Sequence, residues 1–299
     1  MKHFLSLLLT IPLFGIAQKE AVLFEPGLIS KGGEFGLTLS PDGRNALWVQ
    51  SNGGRDTLVI MESTNVKGKW QPPKLAPFSG FLAADWKDID PMYSANGKTL
   101  LFESTRLVAD SPNRKGFDIW AVKKSGGKWT EPAHLTNIIN SDSSESFASM
   151  AANGNIYFAK PNDNIVNKLD IYVAANVNGS YLSPKNLGEP VNTVDRESNP
   201  FISSNQDYLI YFSDKPGGAG EADLYISYKK NKEWTVPQNL GGNINSPQAE
   251  FCPFVNKNQN RLYFSRQVKE GKRFIENIYY YENFSRLVNK LRRSAVGGK

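Results

Sequence analysis

Five acidic side chains recur at intervals of about 53 residues, and their type and spacing make them the first candidates for chemistry in this chain. They are Glu34, Asp88, Glu145, Glu197 and Glu250. If each interval is one unit of a closed repeat, the five carboxylates form a ring around a common axis. Crowded carboxylates raise one another's pKa and attract a cation or a basic peptide. Two of them about 5–10 Å apart would also supply the acid and the base for glycoside hydrolysis.

A structural role competes with this functional role of the ring. A basic residue follows the second predicted strand in four copies, namely Arg106, Lys160, Lys215 and Arg266. Each acid can therefore pair with a basic side chain or cap the backbone of its own unit. Because a feature present in every unit is more often scaffold than site, we expect the ring to be chiefly structural and keep it as a candidate binding site at a channel mouth.

The sequence contains few residues that could support other kinds of catalysis. Beyond the N-terminal segment the only histidine is His134, and no nucleophile-elbow motif accompanies it. Cys-x-x-Cys and His-rich metal spacings are absent. We therefore predict no catalytic residue, no metal site and no cofactor, with calcium bound by loop oxygens left open at 110–118 or 141–145. The single cysteine, Cys252, excludes an intramolecular disulfide and is expected to be a buried thiol.

The elements that position these residues are strands. Each copy contains a polar turn and an apolar run ending in an aromatic residue, as in LLF at 100–102 and IYF at 156–158. Short β-branched and aromatic runs alternate with Gly, Asn, Asp and Pro clusters, which gives four strands per copy. We predict an all-β chain that forms a single β-propeller of five four-stranded blades. Six blades are the alternative and would need an undetected copy.

The two ends of the chain carry further predictions. LFEPGLIS at 23–30 resembles the fourth strands at 128–136 and 233–241, while the last copy ends without one. The N-terminal strand is therefore expected to complete the last blade and remove an open edge. Four apolar residues at helical spacing predict a short C-terminal helix packed on the propeller, namely Phe284, Leu287, Val288 and Leu291.

The predicted domains follow from this organisation. Residues 1–18 read as a signal peptide, with Lys2, an apolar stretch from Phe4 to Ile16 and a small-residue exit. Residues 19–284 form the propeller, and 285–299 a basic, partly helical tail. We expect a periplasmic or secreted protein, monomeric and without a transmembrane segment. Nucleic acid is an improbable partner despite the net charge of +6, because export and the lack of a basic stripe with interleaved aromatics argue against it.

The repeat resembles a known family. The Ser-Pro-Asp-Gly turn at 40–43, the acidic-x-x-Pro pattern at 88–91, 197–200 and 250–253, and the Asp-Ile-Tyr/Trp strand look like the WD-like propeller repeat of the TolB family. The resemblance covers residues 20–284. It departs from the founding member, which has six blades and a further N-terminal domain. It implies a cell-envelope protein and no particular activity, since function does not follow from fold.

Two functions are compatible with this reading. Long, varied loops gather on one predicted face and short turns on the other, so the long-loop face, with the four basic residues above, is the candidate binding face. The first hypothesis is a non-catalytic envelope propeller that binds a protein or a glycan there. The alternative is a glycoside-active enzyme of the five-bladed, furanosidase-like type that uses inner-strand carboxylates. A catalytic set of carboxylates should break the fivefold repeat, whereas the acidic ring repeats it.

Overall fold

A computed structural model describes residues 20–80, 86–108, 116–162, 165 and 168–297. The predicted signal peptide and most of the 110–118 segment lie outside the described residues. Residues 298 and 299 of the predicted tail also lie outside them.

The described chain folds into five blades and one helix. It enters with β1 (Val22–Leu23). The first blade contains β2 (Glu34–Leu39), β3 (Asn45–Ser51), β4 (Leu58–Val66), β5 (Lys69–Trp70) and β6 (Lys74–Leu75). The second contains β7 (Asp88–Tyr93), β8 (Thr99–Ser104), β9 (Asp118–Ser125), β10 (Lys128–Trp129) and β11 (Ala133–His134). The third contains β12 (Ser146–Met150), β13 (Ile156–Pro161), β14 (Leu169–Ala174), β15 (Asn176–Val177), β16 (Ser180–Tyr181) and β17 (Lys185–Asn186).

The last two blades and the helix complete the molecule. The fourth blade contains β18 (Glu197–Ile202), β19 (Tyr208–Ser213), β20 (Asp223–Lys230), β21 (Glu233–Trp234) and β22 (Gln238–Asn239). The fifth contains β23 (Ala249–Asn256), β24 (Arg261–Glu270) and β25 (Arg273–Glu282), and α1 (Phe284–Gly297) follows. In every blade the first three strands pair antiparallel in chain order, and the outer strand is short and broken. The predicted five-bladed, all-β architecture is confirmed.

The N-terminal segment closes the ring. β1 pairs with β25, so the first strand of the chain is the outer strand of the last blade, as predicted. The strand is shorter than the predicted 23–30, since its ladder covers only Val22 and Leu23. Residues 25–30 turn back instead, and Ser30 Oγ donates to the carbonyl of Ile278 at 3.2 Å. Hydrophobic side chains of this segment, above all Phe24 and Ile29, enter the core.

Aromatic side chains of the outer strands pack between blades. Trp129 meets the ring of Phe78 edge-on at 5.8 Å, and Trp234 meets Tyr157 at 6.4 Å. These contacts join each outer strand to residues of the preceding blade. Edge-to-face pairs of this kind add about 0.5–1.5 kcal/mol each beyond the area that they bury.

Helix α1 packs on blades four and five. Phe284, Leu287 and Val288 are buried in one cluster with side chains of β20 and β24. Tyr228 donates its hydroxyl to the carbonyl of Val288 at 2.8 Å, which ties the helix to the fourth blade. The first turn is capped by Asn260, whose Oδ1 accepts the amide of Ser285 at 2.8 Å. No helix in the described part of the chain is both long and apolar enough to span a membrane.

Each inner strand carries the same local distortion. Pairing with the second strand slips by one residue near its third position in all five blades. The residues at the slip all have positive φ, between +46° and +63°: Gly36, Asp90, Phe147, Asn199 and Cys252. This left-handed conformation is uncommon for residues other than glycine. A β-bulge bends its strand and re-aims a side chain, and here it does so at five equivalent places around the axis.

Candidate functional site

The five bulge residues meet one another at the axis of the propeller. Cys252 Sγ lies 3.3 Å from Asp90 Oδ1 and 3.6 Å from Asn199 Oδ1, although the three residues belong to three different blades. Gly36 provides the room for this contact, because a Cβ at that position would lie 2.8 Å from Asp90 Oδ1. The carboxyl group of Asp90 is therefore held in the middle of the channel. Cys252 is buried, as predicted.

A second carboxyl group reaches the same place from β8. Glu103 is fully buried, and its Oε1 accepts the backbone amide of Ala148 from the neighbouring blade at 3.0 Å. Its carboxyl group lies beside that of Asp90, close enough for each to affect the pKa of the other. Burial and the nearby charge of Asp90 raise the pKa of Glu103 well above its ordinary value, and burial raises the pKa of Asp90 to about 6. Raised pKa values on two adjacent buried carboxyl groups favour the retention of a proton by the pair.

A third carboxyl group, that of Glu276 on β25, lies on the same side of the channel. It is fully buried, accepts a hydrogen bond from Gln267 Nε2 at 2.7 Å, and forms an ion pair with Arg55. The charge of Glu276 raises the pKa of Asp90 and that of Arg55 lowers it, so all three groups sense one another. We call Asp90, Glu103 and Glu276 the axial carboxyl cluster.

Arg55 covers this cluster on the long-loop side. It follows β3 in a loop of the first blade and reaches across to the fifth. Its guanidinium lies 5.3 Å from the ring centre of Phe35 and 4.9 Å from that of Phe274. Its side chain is 38% exposed, whereas that of Glu276 beneath it is fully buried. Arg55 thus separates the cluster from solvent.

The axial carboxyl cluster breaks the fivefold repeat. Strand pairing places Glu103 opposite the second residue of its inner strand, and the same positions in the other blades are Val49, Ala159, Phe212 and Ser265. The position of Glu276 in the other blades follows from strand register, or from the place just before the aspartate near the start of the third strand. The residues at this position are Leu58, Phe117, Leu169 and Ala222. None of these residues is acidic, and Asp90 is the only acid among the five bulge residues. The repeat does not require these charges, and burying them is costly.

The acidic ring, in contrast, binds the loop that leads into each inner strand. Glu34 Oε2 accepts the amides of Lys31 and Gly33 at 2.7 and 3.0 Å. Glu197 accepts the amide and the hydroxyl of Thr193 at 2.9 and 2.6 Å. The other three acids take equivalent bonds from Gly80 to Asp88, from Ser141 to Glu145 and from Ser246 to Glu250. All five are buried. These bonds direct the ring carboxylates into the scaffold rather than into the channel.

Two of the four predicted basic residues pair with this ring. Arg106 Nη2 lies 2.8 Å from Asp88, and Arg266 Nε lies 2.6 Å from Glu250. Lys160 and Lys215 lie instead over tyrosine rings, 4.9 Å from Tyr172 and 3.9 Å from Tyr225 respectively. The two arginines also donate to backbone carbonyls at Phe78 and Ile244. Much of the hydrogen-bonding capacity of both guanidinium groups is therefore used within their own blades.

Other candidates for chemistry prove to be parts of the scaffold. His134 Nε2 lies 2.8 Å from Asp118 Oδ2, and Asn186 and Asn239 make the same contact with the equivalent aspartates of the next two blades. Within the described ranges no three Asp, Glu, His or Cys side chains are grouped so that they could hold a metal ion. In the 141–145 loop, Ser141 and Glu145 bind one another.

The buried pair predicts a pH dependence of stability. Since burial raises the pKa of Asp90 from 3.8 to about 6, the native state keeps a proton between about pH 4 and 6 that the unfolded chain has released. Stability contributed by this group is present below pH 4 and is lost as the pH rises through 6. Asp90→Asn should flatten this slope and raise the stability at pH 7, as measured by urea unfolding. Asp56→Asn, at an exposed loop position, is the matched control; an unchanged slope in Asp90→Asn would contradict the pair.

Comparisons with known proteins reveal the fold and no close relative. No protein-family model and no curated protein matches this chain. The likeness to the TolB-type repeat therefore has no support from a family match.

Solved structures are similar at low identity. A glycoside hydrolase has a TM-score of 0.53 at 10% identity, over 88% of this chain and 91% of the other. An α-L-arabinofuranosidase from Lactobacillus brevis has a TM-score of 0.50 at 11% identity, over 85% and 92%. The hydrazine synthase of Kuenenia stuttgartiensis has a TM-score of 0.51 at 16% identity over 85% of this chain, which spans only 38% of it. Glycoside hydrolases and peptidases predominate among the similar structures, and the chain spans about a third of the peptidases (34% and 33%).

Proposed function

We propose that this protein is a glycoside-active enzyme whose reaction takes place at the axial carboxyl cluster. The observation that carries the proposal is the departure of Asp90, Glu103 and Glu276 from the fivefold repeat. Three buried carboxyl groups lie together where the repeat itself needs none. The similarity in fold to an arabinofuranosidase is in keeping with a furanoside substrate, which we take as the first to be tested.

The proton states of the cluster suit the two roles of glycoside hydrolysis. The raised pKa values of Asp90 and Glu103 favour a proton retained on this pair, which can give it to the departing glycosidic oxygen, as a general acid with a raised pKa does. Glu276, which forms an ion pair with Arg55, would act as the carboxylate that activates water or attacks the sugar. Asp90 and Glu103 are too close to act on opposite sides of one bond, so the two sides are the pair and Glu276.

A substrate reaches the cluster from the long-loop face only when Arg55 moves. Its guanidinium contacts Glu276 and the rings of Phe35 and Phe274, and it is partly exposed. A sugar that displaces Arg55 would place its hydroxyl groups and its ring against these same partners. Movement of covering side chains or loops on substrate binding is common in enzymes.

The place of action that we propose is the cell envelope or its exterior. The composition of residues 1–18 supports export, and glycans are abundant substrates and partners there. The same long-loop face serves the first sequence hypothesis, a non-catalytic propeller that binds a glycan or a protein. Turnover distinguishes the two functions.

The proposal is tested by incubating the purified protein with 4-nitrophenyl α-L-arabinofuranoside, arabinan and arabinoxylan between pH 5 and 8. We expect release of nitrophenol and arabinose, at rates that fall on both sides of an optimum because one carboxyl must be protonated and another ionised. Saturable binding of these glycans without any product would favour the non-catalytic function. If the protein neither binds these glycans nor releases product from them, a role in furanoside chemistry is contradicted.

A further inference from the structure

A second site lies at the other end of the channel, among the short turns. A cavity of about 450 Å³ opens there between the ends of the inner strands and helix α1. Its volume is in the range of small-molecule sites in proteins, about 300–1,000 Å³. It has no part in the proposed reaction, because it lies on the opposite side of the channel from Arg55.

An apolar layer separates the two sites. Leu39 lines the cavity and follows the bulge residue Gly36 by three positions on β2, a distance of about 10 Å along a strand. Side chains from the other blades fill the same level, and the rings of Phe201 and Phe254 meet edge-on at 5.9 Å. A ligand at one end of the channel therefore does not touch the other end.

The floor and the rim of the cavity differ in chemistry. The floor is apolar and is formed by inner-strand residues such as Leu39, Met150, Ile202 and Phe254. The rim carries the exposed amide side chains of Asn205, Asn258 and Asn289. Amides both donate and accept hydrogen bonds, so they match the hydroxyl groups of a polar head rather than an ion.

The charges in the wall also favour an uncharged ligand. Arg292 Nη2 lies 2.6 Å from Asp207 Oδ2, so these two charges in the wall neutralise one another, and the other charged lining residue, Lys257, is exposed to solvent. Arg292 lies over the ring of Tyr228 as well, which holds it in place. A cationic head would have to break this pair to gain a partner, and an anionic head could gain only the exposed Lys257 without breaking it.

We propose that this cavity binds a small uncharged amphiphile, with its apolar body on the inner-strand floor and a hydroxyl-rich head on the amide rim. Octyl β-D-glucoside is the probe, because it has both parts and no charge. Methyl β-D-glucoside has the same head without the apolar chain and should bind far more weakly, since burial of apolar area supplies most of the affinity.

The test uses two substitutions on the same exposed helix surface. Asn289 lines the cavity and Lys290 does not, and both are exposed. In calorimetric titrations below the critical micelle concentration, Asn289→Trp should weaken binding of octyl β-D-glucoside at least about tenfold by filling the rim. Lys290→Trp should bind like the unchanged protein, and Asn205→Trp, on the opposite rim, should behave like Asn289→Trp.

Three results would overturn this proposal. They are a lack of saturable binding to the unchanged protein, equal affinity of the two Asn variants and Lys290→Trp, and equally tight binding of methyl β-D-glucoside. None of them bears on hydrolysis at the axial carboxyl cluster, so the two proposals fail separately.

Discussion

Replacing Phe24 with alanine is expected to lower the free energy of unfolding by about 3–5 kcal/mol, the usual cost of removing a buried aromatic ring. Phe24 is only 4% exposed. Its ring meets Trp70, Tyr263 and Tyr280 edge-on at 5.9, 5.3 and 6.3 Å. Trp70 belongs to the first blade and the two tyrosines to the fifth, so the lost ring is one that joins the two ends of the propeller.

Val22 provides the matched control for this experiment. It lies two residues earlier in the same segment and pairs with Tyr280 in the β1 ladder, yet its side chain is 44% exposed. Val22→Ala should therefore change stability by no more than about 0.5 kcal/mol. Urea unfolding at one pH measures both variants. If Phe24→Ala unfolds at the same urea concentration as the unchanged protein, the segment does not hold the ring closed.

The sequence was sufficient to predict the scaffold, because short sequence patterns within each copy identify its turns and strands. The Asn153-Gly154 turn is one example: Gly154 has φ +86°, the kind of backbone that a tight hairpin turn between apolar runs needs. The absence of an outer strand from the last copy was also visible in the sequence. It showed which blade the N-terminal strand completes. The helix was predicted from four apolar residues at helical spacing. Its cap was not, because Asn260 lies 25 residues before Ser285 in the sequence.

The site was harder to predict, because it consists of departures from the repeat. Glu103 ends an apolar run, LLFE, and there its charge looks like the polar end of a strand. Only the pairing of β8 with its neighbours brings it to Asp90. The signal was present nonetheless, since aligning the five copies shows an acid at a position where the others have Val, Ala, Phe and Ser. The acidic ring drew attention because it repeats, and its repetition reflects its bonds to five equivalent loops.

Arg55 and the short-turn cavity could not be predicted from one sequence. Arg55 belongs to a loop of the first blade, and its partner Glu276 is 221 residues away. Neither residue takes part in the repeat, so no spacing relates them. The cavity depends on the packed position of helix α1. That position is set by the burial of Phe284, Leu287 and Val288 against two blades.

Replacing Glu276 with glutamine is expected to lower kcat/KM for an aryl α-L-arabinofuranoside by about 10²–10⁴, the range typical of a positioned acid or base. The change keeps the shape of the side chain and its contact with Gln267 but removes the carboxylate. It should leave the fold intact, because the ion-pair partner Arg55 is 38% exposed and can be hydrated once the carboxylate is gone. Glu282→Gln is the matched control, since Glu282 lies on the same strand and pairs with Arg261 at the surface.

The proposed activity depends on the carboxyl groups that break the repeat. This dependence is tested by the kcat/KM of Glu276→Gln beside that of Glu282→Gln, both measured on protein whose circular dichroism matches that of the unchanged chain. We expect a loss of about 10²–10⁴ in the first variant and a value within about twofold of the unchanged protein in the second. An unchanged kcat/KM in Glu276→Gln, or an equal loss in both variants, would contradict it.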